Sequence, residues 1–326
     1  MIGCGEHGVG SHGPAQTRYA AHHPELEFVA CCDVDGGRAE QYRVRFGFAR
    51  AYSDIEKMLE TERPDAAALA VPVELTPKLA PLVFRAGVPL LLEKPPGRTV
   101  DEVDALIAAA EGNGRPVPHQ VAFNRRFAPV VQEARRRLAE IGAPTAIQHL
   151  HYEMTRVDRR DPDFSTTAIH GLDAVRFLAA SDYAEARLRY RERPDLGPTV
   201  ANIFVDAVMS SGATAHLAFC PAAGAVVERA TVHAGAHTLF LRIPIWGPLD
   251  APGRLQHLEA GRLSGDIGGA DLGDTEPCVL GGFYGEYEAF LGDLAAGRTP
   301  SPGLRESRQS VQIAESVRRR EKEFRA

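Results

Sequence analysis

The sequence lacks the features of a disulfide-stapled, metal-binding or membrane-embedded protein. Only five of its 326 residues are cysteine, and they form no Cys-x-x-Cys pair and show no metal-ligand spacing. We therefore expect reduced thiols, a cytoplasmic protein and no bound metal. No apolar run approaches the ~18–20 residues that span a bilayer, and no signal peptide is evident, so no membrane association is expected.

An excess of positive charge is also missing. The formal net charge is −6 and no domain-sized segment is basic, which argues against a nucleic-acid partner. The densest basic runs, at 135–137 and 318–320, are interleaved with glutamate and are interpreted as solvated helix faces. The composition is otherwise that of a globular chain, and its length predicts two domains.

Strand-like and helix-like segments alternate up to about residue 121. The strand-like runs are unbroken in their apolar character, as in strands covered on both faces, and the order predicts a parallel, doubly wound sheet. Because the chain begins at Met1 and Ile2, the usually central first strand is almost absent, and we expect several residues to be missing ahead of it. Strands are predicted at 28–32, 66–71 and 89–92, and helices at 38–46, 74–86 and 100–111.

The second part of the chain has a different pattern. It predicts an open, mainly antiparallel sheet of about four to six strands with helices on one face. The fold class is therefore α/β, with an N-terminal Rossmann domain at 1–121 and a C-terminal α/β domain at 122–326. Residues 247–281 are rich in Gly, Pro and Asp and are expected to form a long loop that covers an active site or contacts another subunit. Strands are predicted at 145–152, 199–210, 213–219, 226–233 and 237–243, and helices at 128–141, 169–179, 282–296 and 305–323.

Three glycines near the start of the chain carry the first functional pattern. Gly3, Gly5 and Gly8 have Gly-x-Gly-x-x-Gly spacing. The first glycine permits a tight turn, the second lets the backbone approach a pyrophosphate, and the third allows close helix packing. The N–H groups of the following helix would face the phosphates. A plain strand-to-helix turn is the alternative, since glycine-rich turns are common.

Asp33 favours dinucleotide binding over that alternative. It ends the next apolar strand, about 25 residues after Gly8, which is near the spacing of a ribose-binding acid. Its carboxylate would accept hydrogen bonds from both ribose hydroxyls and repel a 2′-phosphate, so NAD is predicted in preference to NADP. Arg38 keeps NADP open as the less favoured cofactor, because an arginine early in the next helix can reach that phosphate. The alternative role of Asp33 is to cap this helix, for which Asp35 is better placed.

A Glu93-Lys94-Pro95 motif follows a predicted strand, at the carboxyl edge of the sheet where ligands bind in such folds. A lysine there could hydrogen-bond a substrate hydroxyl and steady the oxygen whose carbon loses hydride. Three further motifs are spread along the chain: Asn-Arg-Arg-Phe at 124–127, Ile-His-Gly-Leu-Asp at 169–173 and Glu-Tyr-Glu-Ala-Phe at 286–290. With the glycine loop, they make the sequence resemble the glucose–fructose oxidoreductase and inositol dehydrogenase family (Gfo/Idh/MocA) from end to end.

The resemblance implies roles for individual residues. Lys94 would be the catalytic lysine, His170 the general base or the group that polarises the reacting hydroxyl, and Asp173 a ligand of substrate hydroxyls. A structural helix histidine is the alternative for His170. The resemblance also implies a homodimer or homotetramer assembled through the C-terminal sheet. The further contacts expected are Glu6, His7, Val34, Pro72 and Glu93 with the cofactor and Arg126 with the substrate.

Thr166 departs from the family pattern. Many members carry aspartate four residues before the histidine, and threonine can neither hold a charge nor relay a proton as a carboxylate does. We interpret Thr166 as a substrate contact, with a helix-capping role as the alternative. The preceding segment, 153–165, is rich in arginine and aspartate. In it, Arg156 is the predicted clamp for an anionic substrate, and a surface loop of mutually paired charges is the alternative.

These features predict reversible hydride transfer between NAD(H) and a hydroxyl or ketone of a sugar, polyol or related cyclic compound. Residues 1–121 would bind the cofactor, and residues 122–326 would bind the substrate and form the oligomer. One alternative is an NAD-dependent redox-elimination glycosidase, which uses NAD only transiently. Another is a non-catalytic NAD-binding sensor, which Thr166 favours and which the pairing of Lys94 with His170 in one sequence disfavours.

Overall fold

The computed structural model describes residues 1–112, 114–245 and 249–326, which form two compact units. The first unit comprises Met1–Phe123 and Phe283–Val311, and the second comprises Asn124–Gly282 and Gln312–Ala326. The first boundary lies close to the predicted one. Residues 283–311, assigned from the sequence to the second domain, group instead with the first unit. The division of cofactor and substrate binding between the domains remains a prediction.

The first unit contains the expected parallel sheet. Its strands are β1 (Ala30–Cys32), β2 (Arg50–Tyr52), β3 (Ala67–Leu69), β4 (Leu90–Glu93) and β5 (His119–Ala122). β1 pairs with β2, and β4 pairs with β3 and β5, all in parallel. Ile2 takes the central position, because it bridges Cys32 on one side and Leu69 on the other. The adjoining amino group of Met1 donates to the Ala30 carbonyl at 3.0 Å, and burial lowers its pKa.

Helices follow the strands of this unit. Asp35 accepts hydrogen bonds from the N–H groups of Gly37 and Arg38 and so caps the second helix, as expected. The apolar pattern did not predict β2, which is short and carries an exposed arginine. It also did not predict the third helix. The helices are α1 (Gly13–His22), α2 (Gly36–Phe46), α3 (Ile55–Glu62), α4 (Thr76–Arg85) and α5 (Val100–Glu111).

The second unit has a larger sheet than predicted. Its strands are β6 (Ile147–Thr155), β7 (Tyr183–Glu192), β8 (Ala201–Met209), β9 (Thr214–Cys220), β10 (Val227–Ala234), β11 (His237–Arg242), β12 (Arg254–Glu259), β13 (Arg262–Gly268) and β14 (Glu323–Arg325). They lie in the order β13-β12-β11-β10-β6-β9-β8-β7-β14. The sheet is mainly antiparallel, with one parallel pair, β6 and β9. The expected four to six strands were too few, because the charged strands β7, β12, β13 and β14 escaped the apolar pattern.

Two helices of the second unit, α6 (Pro129–Ile141) and α7 (Ser165–Ala179), contact strands of this sheet. A close approach positions α7: a Cβ on Gly171 would lie 2.7 Å from ring atoms of both Tyr152 and Phe219. Glycine therefore lets the helix backbone rest directly on β6 and β9, and it fixes the height of the neighbouring His170 above the sheet.

The predicted loop at 247–281 is wrong over much of its length. Residues 254–268 form the hairpin of β12 and β13, and a short helix, α8 (Pro277–Leu280), follows. Gly261 turns the hairpin with φ +79°, and Arg254 pairs with Asp266 across it. Strands that pair through polar side chains show little alternation of apolar residues, so the sequence pattern did not predict this hairpin. Residues 247 and 248 lie outside the described residues.

The chain closes with α9 (Phe283–Ala295) and α10 (Leu304–Arg318), near the predicted helices at 282–296 and 305–323. None of the helices in the described part of the chain combines the length and apolar character needed to cross a membrane.

Candidate functional site

The glycine-rich loop leads from Ile2 into the first helical turn, and its glycines have different surroundings. Gly3 has φ +90°, and a Cβ there would lie 2.1 Å from the carbonyl oxygen of Ala70. A Cβ on Gly8 would lie 2.8 Å from the carbonyl oxygen of Gly3. Beyond the chain neighbours of Gly5, nothing lies within 4 Å of its Cβ position. Packing therefore explains glycine at residues 3 and 8, whereas the open space at residue 5 fits the approach of a pyrophosphate.

Asp33 lies beside this loop at the carboxyl end of β1. One carboxylate oxygen accepts the Cys4 N–H at 2.9 Å, and the other accepts the Asp35 N–H at 2.9 Å. Arg38 lies 3.3 Å from the second oxygen. Because a carboxylate offers about four acceptor positions, these contacts leave capacity for ribose hydroxyls. The other predicted cofactor contacts around the loop are exposed: Glu6, His7, Val34 and Pro72.

Glu93 ends β4 at the same edge of the sheet and is buried. Its Oε1 accepts from His7 Nε2 at 2.8 Å and His12 Nε2 at 2.9 Å, and its Oε2 accepts the Lys94 N–H at 3.1 Å. Burial alone would raise the pKa of Glu93, but the two imidazoles outweigh it and hold that pKa well below its usual range. Glu93 therefore remains an anion that anchors the backbone of the predicted catalytic lysine, Lys94, whose side chain is half-buried.

A series of buried hydrogen bonds supports Glu93 through His12. His12 Nδ1 lies 2.8 Å from the Tyr287 hydroxyl, which accepts from Gln16 Nε2 at 2.9 Å. Burial lowers the pKa of His12 and raises that of Tyr287 well above its ordinary value. The sequence analysis did not select His12 or Tyr287. Tyr287 was within a quoted motif, but nothing in the spacing connected it to Glu93.

His170 lies in the second unit, in the middle of α7, and is 4% exposed. Its Nε2 accepts a hydrogen bond from Arg125 at 3.3 Å. Because a guanidinium can only donate, this ring nitrogen presents a lone pair to Arg125. Arg125 is thus a cation in direct contact with the ring. Arg125 was part of the quoted motif at 124–127 but was not singled out.

Arg125 belongs to a buried charged cluster around Glu228. Glu228 accepts from Arg125 at 3.0 and 3.1 Å, from Arg156 at 2.6 Å, and from the Tyr152 hydroxyl. Burial acts to raise the pKa of Glu228, but the two guanidiniums outweigh it and lower that pKa to about 2. The sequence analysis missed Glu228. The alternation of β10 could have revealed it, because Glu228, Ala230 and Val232 share the buried face.

Three predicted substrate contacts are occupied by protein partners. Arg126 donates two hydrogen bonds to Asp173, at 2.7 and 2.8 Å, and both side chains are buried. Arg156 is 2% exposed and lies against Glu228. Elsewhere in this segment Arg159 pairs with Asp161, both half-buried, and the exposed Arg160 pairs with Asp158, as the paired-charge alternative expects. A substrate role for these three residues remains a prediction.

Thr166 lies in the first turn of α7, one turn before His170. Its hydroxyl donates to the carbonyl of Asp163 at 3.1 Å. The carboxylate of Asp163 accepts the Ser165 N–H at 3.1 Å. The N-cap residue of α7 is Phe164, whose side chain makes no capping hydrogen bond, so Thr166 does not occupy the N-cap position.

Comparison with known proteins gives a family-model match to the N-terminal part of the chain and relatives that match part of its length. The Gfo/Idh/MocA family model, an oxidoreductase family with an NAD-binding Rossmann fold, matches residues 1–121. A D-apiose dehydrogenase of Paraburkholderia graminis is 35% identical over 120 residues, which are 36% of this chain and 32% of that protein. The inositol 2-dehydrogenase of Salmonella typhimurium is 24% identical over 203 residues, 59% of each chain. The chain thus spans about a third of the length of the apiose dehydrogenase and about three fifths of the length of the inositol dehydrogenase.

The whole chain has the same fold as solved structures. A levoglucosan dehydrogenase in complex with NADH superposes with a TM-score of 0.81, covering 99% of this chain and 97% of that one at 19% identity. The similarity shows a shared α/β architecture with a parallel and a mainly antiparallel sheet. It confirms the predicted fold, and the match of residues 1–121 to the Gfo/Idh/MocA oxidoreductase model shows an NAD-binding Rossmann domain of that family's type at the N-terminus.

Proposed function

We propose that the protein is an NAD-dependent dehydrogenase that transfers hydride between nicotinamide and a hydroxyl or ketone of a sugar, polyol or related cyclic compound. The observation that carries the proposal is Lys94 at the carboxyl end of β4, in the same sheet whose first loop fits a dinucleotide. The relatives named above as dehydrogenases of apiose, inositol and levoglucosan support a carbohydrate-like substrate.

In this proposal two ionisable groups, Lys94 and His170, take part in the reaction. Bound NAD supplies the hydride acceptor. Lys94, held by the hydrogen bond from its N–H to Glu93, donates a hydrogen bond to the substrate oxygen. His170 takes the hydroxyl proton on Nε2, the nitrogen that accepts from Arg125 until the substrate binds. The buried pairs of Arg126 with Asp173 and Arg156 with Glu228 hold α7 and Arg125 in place.

The proposal extends to location and assembly. The five cysteines are free, which fits a reducing, cytoplasmic environment. The substrate would be a small carbohydrate-like molecule, with no nucleic acid or membrane partner. A homodimer or homotetramer through the second sheet is expected, and its outward face carries the exposed Phe240.

NAD is expected to bind at least about tenfold more tightly than NADP, because Asp33 would repel a 2′-phosphate. Asp33→Ser should remove most of that preference by weakening NADH binding and easing NADPH binding. Titrating both reduced cofactors into the protein and following nicotinamide fluorescence measures it.

Asp35→Asn is the matched control for Asp33→Ser. It removes a neighbouring charge but keeps an acceptor for the N–H groups of Gly37 and Arg38, so α2 remains capped. We expect it to leave the preference nearly unchanged. Equal or tighter binding of NADPH by the unaltered protein would show that Arg38, rather than Asp33, governs the choice.

Thr166→Asp is expected to shift the acid limb of the kcat/KM profile to higher pH. The new carboxylate lies one helical turn from His170, and an opposite charge favours the protonated ring. Thr166→Asn, which is similar in size to Asp and neutral, should leave the limb where it is. Identical pH–rate profiles for all three proteins would assign Thr166 a purely structural role.

A further inference from the structure

Three potential metal ligands converge in the first unit. The Nε2 atoms of His7 and His12 lie 2.8 and 2.9 Å from the same oxygen of Glu93. All three ligand atoms lie within 4.8 Å of one another. Two imidazole nitrogens and one carboxylate oxygen are a ligand set that zinc and related divalent transition metals use.

A local departure from α-helical geometry creates this convergence. Residues five apart lie about 140° apart around an α-helix, so His7 and His12 would point in different directions. Here Gly8–His12 forms a π-helical turn, closed by the Gly13 N–H on the Gly8 carbonyl. The wider turn brings His7 and His12 to one side, facing Glu93. π-turns of this kind occur often at functional sites. The spacing follows no zinc motif, so the sequence analysis, which expected no metal, did not detect it.

The surroundings of the two histidines resemble those of metal-bound imidazoles. His12 Nδ1 lies 2.8 Å from the Tyr287 hydroxyl, and His7 Nδ1 lies 3.4 Å from the hydroxyl of Ser11. Such outer contacts fix the ring orientation and leave Nε2 as the ligand nitrogen. His12 is 1% exposed, whereas the His7 side chain is 42% exposed. One side of the set is thus rigid and the other is open to solvent, which gives an ion an entry path and a position for water.

We propose that His7, His12 and Glu93 form a binding site for a divalent transition metal of the zinc class. Metal–ligand distances of about 2.0–2.2 Å place tetrahedral ligands about 3.3 Å apart. The observed separations of 2.8 and 2.9 Å reach that value with a shift of about half an ångström, which the exposed His7 can supply. On binding, each neutral imidazole carries its proton on Nδ1, facing the hydroxyl of Tyr287 or Ser11, and the metal replaces the two Nε2–H hydrogen bonds to Oε1.

Titration of Co²⁺ and Zn²⁺ into the metal-free full-length protein tests this site. Co²⁺ is expected to give saturable visible absorption at one equivalent, and Zn²⁺ is expected to abolish it. His7→Gln keeps a hydrogen-bond donor for Glu93 but removes the imidazole ligand, so Zn²⁺ affinity should fall at least about 100-fold. Tyr287→Phe removes the outer contact on His12, together with the acceptor for Gln16, and should lower affinity about tenfold.

His22→Ala, which removes an exposed histidine from α1, is the matched control and should bind Zn²⁺ as the unaltered protein does. Circular dichroism without metal, recorded in parallel, shows whether each variant is folded and keeps this test separate from the proposed cofactor binding and activity. The site does not exist if no saturable binding is seen, or if His7→Gln binds Zn²⁺ with unchanged affinity. In either case the three side chains form only a hydrogen-bonded support for β4.

Discussion

Lys94→Ala should lower kcat on the true substrate at least ~100-fold, the usual scale for a positioned acid–base or hydrogen-bonding group. Lys94 directly follows the strand that ends at Glu93, and its N–H donates to that carboxylate. Its removal therefore takes away the donor to the reacting oxygen without disturbing the glycine loop. NADH affinity should change little, because Asp33 and Gly5 are untouched. Steady-state kinetics together with NADH titration separates the two quantities.

His170→Gln should cause a loss of similar size. Glutamine retains an acceptor for Arg125, so the buried guanidinium keeps its partner, but glutamine cannot take a proton. Lys78→Ala and His22→Ala, which alter exposed residues of α4 and α1, are the controls and should have normal turnover. If Lys94→Ala and His170→Gln both turn over normally, the reacting groups lie elsewhere.

Glu228→Gln should destabilise the protein by about 3–5 kcal/mol, the range found when one partner of a buried ion pair is removed. Glu228 is fully buried and balances two buried guanidiniums, those of Arg125 and Arg156. Neutral glutamine leaves both positive charges without their common anion. The free energy of unfolding from urea denaturation, followed by circular dichroism, measures this loss. Tyr152→Phe, which removes one hydroxyl donor to the same carboxylate, should cost only about 1–2 kcal/mol.

The pH dependence of unfolding, compared between the unaltered protein and Glu228→Gln, gives a second test of this ion-pair cluster. The pKa of Glu228 is lowered to about 2, so its contribution is complete above the pKa of an unfolded glutamate, about 4.3, and is lost as the pH falls toward 2. The stability difference between the unaltered protein and Glu228→Gln should therefore be constant at neutral pH and shrink in acid. A difference that is small at neutral pH, or constant throughout, would mean that Glu228 does not balance the arginines.

The fold was predictable where burial leaves a simple pattern. The apolar runs of β1, β3 and β4 and the long helices near 100–111 and 129–141 lie where the sequence places them. The hairpin of β12 and β13 was not predictable by that means, because charged cross-strand pairs and hydrogen bonds between strands form it. The central position of Ile2 depends on hydrogen bonds to two distant strands, which no local pattern reports.

The residues of the candidate site were also predictable only in part. Gly3, Gly8 and Asp33 follow from spacing, because each role depends on backbone conformation or on the end of a strand. The partners of Glu93 and His170 do not follow from spacing. His12 reaches Glu93 only through a π-helical turn, and Arg125 meets Glu228 from a position 103 residues away in the chain. Contacts of this kind are set by tertiary packing. The sequence therefore predicts Glu93 and His170 but not the residues that hold them in place.

The most direct test of the proposed activity mixes the protein with NAD and a library of free polyols and aldoses and follows the absorbance of reduced nicotinamide. The account predicts NADH in amounts equal to oxidised product for at least one free polyol or sugar, and loss of that signal in Lys94→Ala. Glycoside cleavage without net NADH would assign the protein to redox elimination. Tight NADH binding without turnover of any library member, free or glycosidic, would contradict the dehydrogenase and leave a cofactor-binding sensor.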